Sequence, residues 1–161
     1  MPLNRRNFIQ TSLATSMFTY VGNMSSSVTA AENKLPLNIG MDTDVLLVID
    51  LQNVFCPGGS LGVKDGDKII KNINSIQEKF NNVVLTQDWH PQNHSSFVTE
   101  YKDKEVFSTV KMPYGDQTIW PADCIQGTKG ADFHKDLNTL KANTIIRKGF
   151  RREIDSYSAF W

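Results

Sequence analysis

The 161 residues carry 17 Lys plus Arg against 17 Asp plus Glu, a formal net charge of zero, with no basic stripe and no run of like charge. That balance argues against nucleic acid or a membrane surface as partner and leaves a small molecule as the expected one. Apolar residues make up 40% of the chain, enough for the core of one domain, and no run reaches the roughly 18 apolar residues of a transmembrane helix.

Residues 1–30 differ from the rest. Arg5-Arg6 stand ahead of a weakly apolar stretch from Phe8 to Val21, and Val28-Thr29-Ala30 before Ala31 offers a small-residue cleavage site. In that order the three features read as a twin-arginine export signal and predict a periplasmic protein; the other reading is a Ser/Thr-rich tail. Residues 31–43 form a polar linker, and one domain is expected over 44–161.

Val45-Leu46-Leu47-Val48-Ile49 is a β-branched apolar run of the kind found in parallel strands covered on both faces, and it stops at Asp50. Gln52 to Gly59 reads as a loop with a Pro57-Gly58-Gly59 turn. Asp65 and Asp67 are placed to cap a helix with Ile69, Ile73, Ile76 and Phe80 inward and Asn81-Asn82 as its stop. Val83-Val84-Leu85-Thr86 is a second buried strand, so strand, helix and strand make a right-handed parallel crossover. Residues 95–130 are long and irregular, with Pro113, Gly115, Pro121, Gly127 and Gly130, which marks a working loop. A short helix is expected over 131–142, packed through Phe133, Leu137 and Leu140. Thr144-Ile145-Ile146 is the third strand and ends at Arg147-Lys148. The order of elements predicts an α/β fold on a parallel sheet.

Residues 86–94 place one carboxylate and two imidazoles just past a strand end, where open α/β sheets bind ligands. Asp88, His90 and His94 are donors suited to Zn, Fe or Mn, although a surface loop whose histidines cap nearby backbone would have the same composition. The twin-arginine route carries folded cargo, which suits a protein that takes up a metal before export. Each apolar run also stops at an ionisable residue, Asp50, Asp88 and Lys148. A parallel sheet brings those ends to one edge, where a lysine close to Asp50 would keep its charge in a partly desolvated pocket. An ordinary solvated Lys148 at a strand end is the alternative.

Asp50-Leu51-Gln52-Asn53 with Phe55-Cys56 and Gly58-Gly59, Thr86 to Pro91 with His94, Trp120-Pro121 with Cys124, Gly127-Thr128, and Lys148-Gly149 with Asp155 to Phe160 stand in a specific order. From about Val45 to the last residue this series resembles the nicotinamidase (pyrazinamidase) branch of the isochorismatase-like cysteine hydrolases. The resemblance implies a three-layer fold on a parallel sheet, here its N-terminal part only. It implies a metal-dependent amidase of NAD salvage that converts nicotinamide to nicotinate and ammonia through an Asp-Lys-Cys triad. Carried over, Asp50 takes the proton of the thiol and Lys148 balances charge and favours thiolate. Asp88, His90 and His94 match ligands of one divalent transition metal that holds the pyridine nitrogen. Phe55 and Trp120 match the aromatic walls of the ring site, and Tyr157 is counted with them as substrate-binding.

Two departures from the family pattern matter. Asp123 precedes Cys124 where the family usually has His. A carboxylate can still bind a metal, which adds Asp123 to the expected ligands and leans the site toward Fe or Mn; a surface role is the other reading. The family's nucleophilic cysteine also lies well beyond its lysine, and this sequence stops at Trp161. The chain is therefore expected to be incomplete at its C-terminal end, inactive by itself, and to fold poorly, with the strand of Val45 to Ile49 showing an unpaired edge. Cys56 and Cys124 are expected to be free, half-buried thiols without a catalytic role, and His134 a structural histidine. A non-catalytic metal- or ligand-binding remnant, or a hydrolase using metal-bound water, would share most of these features.

Overall fold

A computed structural model of the chain describes residues 38–159. The expected export signal over 1–30, most of the linker, and Phe160 and Trp161 lie outside the described residues. The elements are β1 (Val45–Val48), α1 (Ile70–Gln77), β2 (Asn82–Asp88), β3 (Thr109–Met112), β4 (Gly115–Thr118) and β5 (Thr144–Lys148), joined by short 3-10 turns. No helix among the described residues is long and apolar enough to cross a membrane.

The three apolar runs form one parallel sheet in the order β1-β2-β5. Val48 pairs with Leu85, Leu85 with Ile145, and Asp88 with Lys148, so the three strands finish at the same edge. β2 is central because it alone has a partner on both sides. Its Val83 and Leu85 are fully buried, each contributing about 1.5–3 kcal/mol by leaving water. With Val48, Leu51, Ile70, Phe80 and Leu137 they make one core cluster, against which Leu46, Ile73 and Phe133 pack. Alternation along β1 sends Leu46 and Val48 to that core and turns Val45, Leu47 and Ile49 outward, where all three are exposed. Among the described residues the sheet is thus covered on one face, and β1 has a strand on one side only.

Two expectations about helices are corrected. The α-helix starts at Ile70, after a 3-10 turn over Gly66–Ile69. Three residues per turn there, in place of 3.6, shifts the phase of the helix that it leads into. Ile70 and Gln77 are buried and Ile73 and Phe80 still meet the core, but Ile69 and Ile76 face solvent. Asp65 adopts a left-handed conformation (φ 62°) and makes no side-chain cap. Over 131–142 no α-helix forms, only a 3-10 turn at Thr139–Lys141. The backbone there bonds to a distant loop instead: Asn53 N–H donates to Asp132 O (2.9 Å) and His134 N–H to Leu51 O (3.0 Å), which leaves no i→i−4 ladder. Leu137 is buried, whereas Leu140 is almost fully exposed.

The long segment after β2 contains the antiparallel hairpin β3–β4. A single bridge, His90 with Ile125, ties this segment back to the end of β2, and another, Phe97 with Trp120, closes the segment on itself.

Candidate active site

The strand ends converge on one ammonium group. Lys148 Nζ lies 2.5 Å from Asp88 Oδ1 and 2.8 Å from Asp50 Oδ2, and all three side chains are nearly buried. Thr86 Oγ1 donates to the second oxygen of Asp50 (2.7 Å) and accepts from the Asp50 N–H (3.1 Å). That clamp holds Asp50 at φ 47°, a left-handed conformation that side-chain-bearing residues seldom adopt. Gln52, fully buried, fixes Asp88 through its backbone: Nε2 donates to Asp88 O and Oε1 accepts from Asp88 N–H, both at 2.8 Å. Burial alone would draw the Lys148 ammonium down, but Asp88 and Asp50 more than reverse this and raise it. Burial raises the Asp88 carboxyl, with Lys148 opposing and Asp50 adding to the rise.

The two imidazoles lie beside this group. His90 is placed by backbone bonds, its N–H to Cys124 O (2.9 Å) and its carbonyl accepting from Gln126 N–H (2.8 Å). Its Nδ1 is 2.8 Å from Gly149 O, which leaves Nε2 as the available ligand atom. Gly149 has φ 64°, and a Cβ at that position would overlap the His90 ring, so both conformation and space call for glycine. His94 Nδ1 is 2.7 Å from Ser96 Oγ, its ring centroid is 4.3 Å from that of His90, and Phe97 packs against both rings. Burial, then the neighbouring His90, lowers His94 and favours the neutral imidazole a metal needs.

The potential ligand atoms of His90, His94 and Asp155 all lie within 4.8 Å of one another. Two imidazoles and a carboxylate, with His90 oriented by a backbone carbonyl, fit a divalent first-row metal with open positions. Asp155 was absent from the ligands expected from sequence; it lies 61 residues beyond His94, and only the fold brings them together. Asp88 and Asp123 are not members of this tight group, and Asp88 Oδ1 is paired with Lys148. Asp123 stays buried nearby and is raised to about 6 by burial, with His90 opposing and Asp88 and Asp155 adding to the rise.

Asp50, Asp88, His90, Asp123, Lys148 and Asp155 line a cavity of about 460 Å³ together with Phe55, Leu61, Trp120 and Tyr157. Its size suits a small ligand, and its lining combines aromatic and ionisable side chains. Every site residue expected from sequence lines this cavity except His94, whose ring lies against that of His90. Trp120 Nε1 donates to Tyr157 Oη (3.0 Å), joining two parts of the aromatic wall.

Cys56 and Cys124 are free and fully buried, not half-buried as expected. Both line a neighbouring cavity of about 490 Å³ that contains none of Asp50, His90 or Lys148 and meets the first at Asp123. Burial raises both thiols, Cys124 further through Asp123, Asp88 and Asp50, which opposes thiolate formation.

Comparison with known proteins gives a consistent set. The isochorismatase domain model matches residues 44–160. A nicotinamidase of Acinetobacter baylyi is 51% identical over 115 residues, covering 71% of this chain and 54% of that protein. The structure of an Acinetobacter baumannii nicotinamidase/pyrazinamidase superposes with a TM-score of 0.69 at 56% identity, covering 71% of this chain and 56% of its own. A Pyrococcus horikoshii pyrazinamidase in complex with zinc superposes with a TM-score of 0.55 at 38% identity, covering 72% and 57%. The chain spans about half the length of the relatives it matches.

Proposed function

The chain belongs to the isochorismatase-domain family, and from that premise we propose that it forms the acid–base and metal side of an amidase site releasing ammonia from nicotinamide to leave nicotinate. The observation that carries this reading is Lys148 bridging Asp50 and Asp88 in the lining of a cavity that Phe55, Trp120 and Tyr157 also line. Phe55 and Trp120, with Tyr157, offer flat faces to a pyridine ring. Asp50, clamped by Thr86, takes the proton of an attacking thiol and returns it to the leaving amine as the C–N bond breaks. Water then hydrolyses the thioester. Lys148 stays protonated between its carboxylates and favours the thiolate.

His90, His94 and Asp155 would hold one divalent metal, with Asp88 and Asp123 close by. When bound it would supply a Lewis-acid anchor for the ring nitrogen, positioning the amide. Zinc is one candidate, through the zinc-bound relative. The thiol is assigned to sequence outside these 161 residues, since neither cysteine present lines the cavity. We place the site of action in the periplasm, on the Arg5-Arg6 signal.

The test is ammonia release from nicotinamide by the 161-residue chain and by a longer product of the same gene. The longer product should turn over, and Asp50→Asn should slow it by about 10²–10⁴-fold, the range of general acid–base catalysis. No release by the longer product would overturn the amidase reading. Turnover by the shorter chain at a comparable rate would overturn the assignment of the thiol.

A further inference from the structure

We infer that Gln117 is a positioning residue for the metal site, one buried amide that holds Asp155 toward His90 and His94 and Tyr157 in the aromatic wall. The inference rests on the metal reading of the site and adds a residue from the β3–β4 hairpin, an element outside the sheet edge. Gln117 is 1% exposed, although its strand neighbours Gly115 and Asp116 face solvent. Its Nε2 lies 2.8 Å from Asp155 Oδ2, 3.1 Å from Tyr157 Oη and 2.7 Å from Thr118 O. Its Oε1 accepts from Tyr114 Oη at 3.1 Å.

Burying a side-chain amide gives up its hydrogen bonds to water, so a hairpin needing only bulk here is better served by an apolar residue. The carboxylate also fixes which way the amide points, since turning Oε1 toward Asp155 would set two acceptors against each other. Asp155 itself lies in an irregular stretch after β5, where its N–H has only a long contact, 3.5 Å, with Tyr114 Oη. Gln117 and Tyr114, both from the hairpin, therefore fix the orientation of a carboxylate that lies 38 residues beyond Gln117. Hydrogen bonds to a ligating carboxylate restrain its rotation, and their loss typically weakens metal binding by about 10–100-fold.

The test is Co(II) titration of the chain, read by ligand-field absorption, with thermal unfolding of the metal-free protein alongside. Gln117→Met keeps the bulk and removes the hydrogen bonds. It should weaken Co(II) binding by about 10–100-fold and alter the absorption bands. A merely structural glutamine would lower the metal-free unfolding temperature and leave affinity and spectrum unchanged, and that result overturns the proposal. Should Gln117→Met fail to fold, Tyr114→Phe decides: weaker Co(II) binding supports the proposal, and wild-type affinity and spectrum overturn it. Absence of Co(II) binding by the unmutated chain would remove the metal reading and this inference with it, whereas equal binding by wild type and variant removes the inference alone.

Discussion

Lys148 Nζ sits 2.8 Å from Asp50 Oδ2 although their strands, β5 and β1, are not neighbours in the sheet. β2 lies between them, and Asp88 at its end takes the same ammonium. One cation therefore spans the edge of a three-stranded sheet and holds together two carboxylates that would otherwise repel.

Replacing that cation exposes the cost. Lys148→Met leaves Asp50 and Asp88 buried without their partner and should destabilise the chain by about 3–5 kcal/mol, the usual consequence of removing one member of a buried pair. Urea unfolding measures it, and adding Asp50→Asn should recover part of the loss. A change under about 1 kcal/mol would mean the group is solvated.

Asp123 gives a pH signature in the metal-free protein. Its folded value lies at about 6, above the ordinary 3.8, so its ionisation is penalised by folding. The cost is absent below about pH 4, grows as pH rises toward 6, and is complete above it, at roughly 1.36 kcal/mol per unit or about 3 kcal/mol in all. Asp123→Asn should therefore stabilise the chain at about pH 7 and have little effect at about pH 3.5. Thermal unfolding at the two pH values would show the difference; equal effects at both would contradict the buried placement.

Gly149→Ala adds a methyl group where the His90 ring lies and strains a left-handed backbone. The backbone strain alone costs about 1–3 kcal/mol, and moving Gly149 O releases His90 Nδ1. Both the unfolding temperature and the bound metal should fall together. Loss of stability with full metal retention would argue against His90 as a ligand.

Export has its own check. Arg5→Lys with Arg6→Lys should retain the protein in the cytoplasm, as measured by cell fractionation, because the twin-arginine pair is the feature the route reads. Undiminished periplasmic recovery would point to another path.

Much of the fold was legible because β-branched runs such as Val83 to Thr86 have one stable use, a buried strand, and because each ends on a charge that a parallel sheet must place at one edge. Phase was harder. Ile69 and Ile76 carry a helical spacing, but a preceding 3-10 turn rotates the helix past them, and nothing local announces it. Phe133 and Leu137 have the spacing of a helix and the contacts of a loop, since the backbone around them bonds to Leu51 and Asn53. Asp155 stands in the motif series, but its place beside the histidines, like the role of Gln117, was not legible, because each acquires its neighbours only in tertiary structure.

A metal held by His90 and His94 with Asp155 is the central claim, and metal content tests it most directly. Elemental analysis of the purified, dialysed chain should find about one transition metal per chain, as a single cluster of nitrogen and oxygen donors predicts. The His90→Ala, His94→Ala double variant should lose it. Full metal content in that variant would contradict the claim.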